Sequence, residues 1–279
     1  MALKHLLALA AAALSSPAWA QETPQPPLPD PESAANHWTV ALGGGWIPDY
    51  VGSDDHKWIP VGAVRGMIGP VAITSRASWL YADLVPRGKG VDFDAGPILG
   101  VRFDRTGSVK DDLVDLLPER NKAIEVGGFA GVSLHDLTNP YDTLSFRLDV
   151  LRDVGSAHKS TIFSPNIEFS TPLSRRTYAS ASVGADFVSD KFADYYFTIS
   201  AADALASGLP AFDADGGLHK WKAGLIVNQS LTGDLTGGLS IFGAAQYSRL
   251  AGDFKRSPIV SQRGSASQWL LAAGLAYTF

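Results

Sequence analysis

Over long stretches of this chain every second residue is apolar, and no other feature narrows its possible folds as far. In "YASASVGADF", Ala179, Ala181, Val183, Ala185 and Phe187 share one phase, while Tyr178, Ser180, Ser182, Gly184 and Asp186 take the other. That is the two-residue period of a strand with two unlike faces. "LSFRLDV" sets Leu144, Phe146, Leu148 and Val150 against Ser145, Arg147 and Asp149, and "VDFDAGPILGVRF" separates Val91, Phe93, Ala95, Leu99, Val101 and Phe103 from Asp92, Asp94, Gly96, Gly100 and Arg102. The closing segment places Trp269, Leu271, Ala273, Leu275, Tyr277 and Phe279 opposite Gln268, Leu270, Ala272, Gly274, Ala276 and Thr278. Weaker alternation lies near 37–46, 57–65, 71–81, 123–134, 160–170, 220–230 and 238–250, with "YYFTIS" (195–200) as a further short strand. Helical periodicity after the first twenty residues is confined to a short piece near Asp111 to Leu117.

A soluble sandwich and a membrane barrel both read this way, and they differ in what the polar face meets. Here that face is rich in Gly, Ser and Ala with isolated charges of both signs: Arg76, Asp94, Arg102, Glu125, Arg147, Asp149, Glu168, Asp186 and Lys222. Small residues with paired charges suit a crowded lumen, and charges facing hydrocarbon would be costly. The nine form either a salt-bridged network that rigidifies the tube or the lining of a small aqueous path. Trp38, Trp58, Trp79, Tyr81, Trp221, Tyr247 and Trp269 fit girdles at the lipid–water boundary, and equally fit ordinary core aromatics. The expectation is an all-β fold: a transmembrane antiparallel β-barrel of the outer membrane with about twelve strands, ten being the alternative.

With both chain ends in the periplasm, a twelve-strand count sends 47–56, 82–90, 135–142, 171–176, 201–219 and 251–266 outward, and turns near 66–70, 154–159, 189–194 and 231–237 inward. It also sends inward one long connection, 104–122, holding "DDLVDLLPER". Asp111, Asp112, Leu113, Leu116 and Leu117 are therefore a candidate periplasmic contact.

The first twenty residues place Lys4 before an apolar run from Leu6 to Leu14 and end on Ala18-Trp19-Ala20, a secretory signal cut before Gln21. The apolar run is too short to span a bilayer. Residues 21–36, with "TPQPPLPDP", suit an extended periplasmic spacer. The organisation expected is signal 1–20, Pro-rich extension 21–36 and barrel 37–279. The 279-residue chain carries a formal charge of −5; without Lys4, 22 Lys and Arg face 28 Asp and Glu, or −6. An acidic balance argues against nucleic acid as a partner, and the absence of Cys removes disulfides and thiolate metal sites.

No motif demands catalysis, a cofactor or a metal. His135 beside Asp136 and near Ser133 raises a lipid hydrolase as a distant alternative, but sequence neighbours seldom converge into a catalytic set. His56 after Asp54-Asp55 reads as a solvated loop. "DADGG" (213–217) lacks the remaining ligands of a calcium loop, and "PRGKG" lacks phosphate-loop spacing.

Three stretches, "PDYVGSDDHKWIPVGAVRG", "YYFTISAADALASGLPAFDADGG" and "SRLAGDFKRSPIVSQRGSASQWLLAAGLAYTF", resemble the MipA/OmpV family of outer-membrane proteins, named for the MltA-interacting protein. Arg249, Leu250, Gly252, Asp253, Ser257-Pro258-Ile259-Val260 and Tyr277-Thr278-Phe279 carry the most specific part of the likeness. It implies an outer-membrane barrel set in lipid, without agreed catalytic residues. One family member is described as a scaffold joining a lytic murein transglycosylase to a bifunctional murein synthase, and others as porin-like, antigenic or adhesive. Two readings follow: a scaffold for murein enzymes, and a narrow channel for small solutes. Leu275, Tyr277 and Phe279 also resemble the carboxy-terminal signal by which outer-membrane barrels are recognised for insertion.

Overall fold

The computed structural model describes residues 37–86 and 90–279. The signal and the Pro-rich extension lie outside the described residues. Six strands, β1 (Thr39–Pro48), β2 (His56–Ile68), β3 (Val71–Arg76), β4 (Trp79–Asp83), β5 (Val91–Arg102) and β6 (Ala123–His135), form the first half of the sheet. The second half is β7 (Thr143–Asp153), β8 (Thr161–Pro172), β9 (Thr177–Val188), β10 (Gly217–Ser230), β11 (Gly238–Leu250) and β12 (Ser267–Thr278). Each pairs antiparallel with its sequence neighbours, and β12 pairs with β1 to close a twelve-stranded barrel.

The two phases of the alternation become the two faces of the wall. Leu42, Trp58 and Phe93 point outward and are 69%, 76% and 63% exposed. A soluble sandwich would bury its large apolar residues; exposure repeated around a closed wall requires hydrocarbon as the solvent. Closure also satisfies every strand edge, which lipid demands.

The seam runs from Thr39 opposite Thr278 to Trp46 opposite Leu271. Trp38 and Phe279 extend it by exchanging backbone hydrogen bonds of 2.9 Å in both directions. Gly43 faces Gly274 across it, and a Cβ on Gly43 would stand 2.1 Å from the carbonyl oxygen of Ala273. Gly43→Val should therefore block the seam, seen as loss of the compact, heat-modifiable species in detergent gels.

The twelve strands differ from those expected at two places, and the two differences cancel in the count. Residues 195–200 form no strand: α1 (Asp190–Phe197) ends there, followed by α2 (Ala201–Ser207). Conversely, 71–81 is not one strand, because a two-residue turn at Ala77 and Ser78 splits it into β3 and β4. Every connection between these points consequently changes ends. Trp38 and Phe279 share one rim with 69–70, 84–86, 136–142, 173–176 and 231–237. The opposite rim carries 49–55, 77–78, 103–122, 154–160, 189–216 and 251–266, the last holding α3 (Pro258–Ser261). Short turns on one rim and long connections on the other match outer-membrane barrels, whose short turns face the periplasm. The 103–122 connection is thus an outer loop, and Asp111, Asp112, Leu113, Leu116 and Leu117 do not form a periplasmic contact.

Candidate functional site: a capped, charged lumen

Inside the barrel, the same register that turns apolar residues to lipid turns charged ones inward. Glu125, fully buried, is the best-connected of them. Its carboxylate accepts from Arg102 Nε at 2.7 Å and Nη2 at 3.2 Å and from Trp79 Nε1 at 2.9 Å, and lies 3.2 Å from His158 Nε2. Asp186 accepts from Lys222 Nζ and Ser164 Oγ, each at 2.7 Å, with Lys220 Nζ at 3.8 Å. Arg147 Nε donates to Asp149 at 2.7 Å, and Tyr81 Oη donates to the same carboxylate at 2.9 Å. Arg76 on β3 reaches Glu168 on β8 at 3.4 Å, and Asp94 accepts from Ser133 Oγ at 2.8 Å.

Alternation alone does not show which charges meet. Trp79 and Tyr81 also turn inward, where they bond Glu125 and Asp149, so neither belongs to an outer girdle. Trp221, Tyr247 and Trp269 do pack together on the outer wall, with ring centroids 5.2 and 5.1 Å apart. Leu275, Tyr277 and Phe279 lie exposed on that wall at the seam rim.

Above this layer the lumen is capped. In α1 the positions Phe192, Ala193, Tyr196 and Phe197 fall on one helical face, and all four are buried. Phe192 stands over the charge layer, 5.6 Å from the Arg102 guanidinium and 5.0 Å from the His158 ring. Phe197 packs edge-on to Phe254 from the 251–266 connection at 5.0 Å, and His219 meets Phe254 at 4.7 Å. Ser200 and Asp203 form a reciprocal capping box for α2, which stops at Gly208 with φ of 75°.

The outer connections are tied to this aromatic centre. Arg105 Nη2 donates to the Tyr196 carbonyl at 2.7 Å, Ser257 Oγ to that of Phe197 at 2.6 Å, and Tyr50 Oη to that of Ile259 at 3.0 Å. Burial pushes the Arg105 guanidinium down to about 10 and raises the Tyr50 and Tyr196 hydroxyls. Arg263 bridges to Asp111 at 2.8 Å, joining 251–266 to 103–122. Desolvation alone would raise the Asp111 carboxyl, but hydrogen bonds from Arg263 and the backbone of Val114 and Leu113 outweigh it and hold the group below its usual range. The tether therefore contributes fully above the unfolded carboxyl value of about 4 and is lost as pH falls through the lower folded value. Proteolytic cutting within 103–122 should accelerate in acid, and Arg263→Gln should give that rate at neutral pH.

Near the inner rim no hydrogen bond joins the Ser133 hydroxyl to the His135 imidazole, whose Nε2 lies 4.0 Å from Asp92. Ser133 and His135, two residues apart, share the lumen face, yet Ser133 bonds Asp94 and Ser145, whereas His135 Nδ1 meets Thr143 at 3.0 Å. His56 stacks on Trp46 at 3.6 Å, and the backbone N–H of Asp215 and Gly216 donate to Asp253 and Asp190, so "DADGG" is bonded as a turn. Among the described residues no group of three or more acidic or His side chains is placed to hold a metal.

A comparison with protein families matches residues 40–279 to MltA-interacting protein MipA. The chain belongs to the MipA family. The match takes in every barrel strand but the first residue of β1, so family membership and the closed barrel describe the same residues. Among solved structures, the COG4313 outer membrane channel from Pseudomonas putida F1 is similar at 10% identity and a TM-score of 0.46, covering 88% of this chain and 96% of that one. OmpT of Vibrio cholerae gives 6% identity and a TM-score of 0.37 over 88% and 97%, and the β domain of the Bordetella autotransporter BrkA gives 14% and 0.37 over 87% and 98%. No curated protein sequence matches. This MipA-family chain is an outer-membrane β-barrel.

Proposed function

We propose that this barrel is a non-enzymatic scaffold whose periplasmic rim meets a murein-remodelling enzyme of the transglycosylase or synthase type. The family description, MltA-interacting protein, supports the partner class. The observation that carries the place of contact is the rim beside Trp38 and Phe279. Its turns are short and internally bonded: Asp142 accepts from the backbone of Leu137, Thr138 and Asn139, while Asn139 Nδ2 donates to Thr171 at 3.0 Å. Leu137, Tyr141, Leu173 and Leu231 nonetheless stand exposed there. Rigid backbone with exposed apolar and aromatic side chains is what a protein interface uses.

The test is site-specific photo-crosslinking in intact envelopes. Probes at Tyr141, Leu173 and Leu231 should yield adducts with a murein enzyme, and a probe at Leu116 on the outer loop should not. Adducts from Leu116 alone would sink the reading. A narrow channel is the second reading. Its support is Ile226, which faces the lumen from β10 yet keeps 46% of its surface exposed, so the tube below the cap is hollow.

A further inference from the structure

On the outer wall over β5 to β9 runs a groove in two connected parts, of about 560 and 800 Å³, which share Ala130 and Leu148. Small residues on β6, Gly128 and Ala130, form its floor, and Phe93, Phe146 and Ile167 stand around it. Its lining is almost entirely apolar until the end nearest the outer rim, where Arg152 stands beside Thr161. Arg152 is exposed on the outward phase of β7 and donates to Thr161 Oγ1 at 3.4 Å; among the described residues no carboxylate forms an ion pair with it. Lys122 lies just beyond the outer end of β6, in the same phase as Ile124 and Val126 of that strand. Its ammonium sits over the Phe103 ring at 5.4 Å.

We infer that this groove is a binding site for an acylated lipid of the outer leaflet whose head group carries two phosphates, one for each cation. The apolar floor accepts acyl chains at the depth of the hydrocarbon, and the two cations stand where a lipid of the outer leaflet presents its head. Arg supplies a planar fork that matches phosphate oxygens, and Lys adds a point charge. A neutral lipid would satisfy the groove but leave both cations without counter-charge. The site is independent of the partner at the opposite rim and of whether the lumen conducts.

The experiment is native mass spectrometry of the purified, folded full barrel in detergent. The probes are bisphosphorylated lipid A, the same lipid with its phosphates removed, and phosphatidylglycerol. Wild type should retain bisphosphorylated lipid A preferentially, and Arg152→Ala with Lys122→Ala should weaken that retention by roughly thirtyfold, taking about 1 kcal/mol per surface cation. Ala130→Leu, which fills the floor without touching charge, should weaken both forms of lipid A. All three positions face outward, so heat-modifiable migration should persist and report correct folding. Equal retention by wild type and the double cation variant would overturn the head-group assignment. Unchanged binding in Ala130→Leu would overturn the groove. Phosphatidylglycerol held as firmly as lipid A would reduce the site to a general anionic annulus and overturn its selectivity.

Discussion

In planar bilayers the wild-type barrel should be electrically silent, and replacing residues 190–216 with a short turn between β9 and β10 should produce discrete conductance steps. That segment supplies Phe192, Tyr196 and Phe197, the aromatic centre to which the connections at 103–122 and 251–266 are bonded directly, with 49–55 held in turn through the bond from Tyr50 to Ile259. Removing it uncovers the charge layer and, beneath it, the hollow half beside Ile226. Phe197→Ala is the milder form: a buried aromatic truncated to Ala costs about 3–5 kcal/mol, enough to loosen the cap while the strands remain paired. Steps from the wild type at neutral pH would show that the cap does not seal. A folded deletion variant that stays silent would move the block lower, to the charged side chains that cross the lumen.

The second large effect should come from Glu125→Ala. The carboxylate is fully buried and balances the Arg102 guanidinium, so its removal leaves a buried cation without a counter-charge, a change that typically costs about 3–5 kcal/mol. The same substitution frees Trp79 Nε1 and His158 Nε2 from their acceptor. The midpoint of the heat-induced gel shift should fall well below wild type. The double variant Glu125→Leu with Arg102→Met should recover most of that loss, because two apolar side chains of similar volume carry no unpaired charge. A single variant as stable as wild type would mean that water reaches this pair and that the layer is not dry.

Strand phase was legible in the sequence because lipid and lumen impose opposite demands on successive residues. Asp94, Arg102, Arg147, Asp149 and Asp186 fell inward by parity alone. The cap was not legible in the same way. "DKFADYYF" places Phe192, Ala193, Tyr196 and Phe197 four apart in pairs, a helical face, but its last residues also alternate, and short segments satisfy both periods. The turn at Ala77 and Ser78 carries neither Gly nor Pro, although Ala77 takes a φ of 51°, so nothing in its composition announces a reversal. Because the turn at 77–78 adds one strand and the helix at 190–197 removes another, the alternation still gives twelve strands but inverts the side of every connection between those two points. Register, and with it the partners of Glu125 and Asp186, depends on strand pairings that a period-two pattern does not encode.

The bond from Arg76 to Glu168 joins β3 to β8, five places apart around a ring of twelve strands. Hairpin hydrogen bonds hold neighbouring strands together but leave a closed tube free to flatten. A tie between nearly opposite walls acts instead as a crossbar, setting the roundness of the tube against the lateral squeeze of the bilayer. Both side chains keep contact with lumen water, so salt screens this tie more than the buried Glu125 pair. The cross-section of the barrel should therefore soften with ionic strength at its waist while its capped end keeps its form.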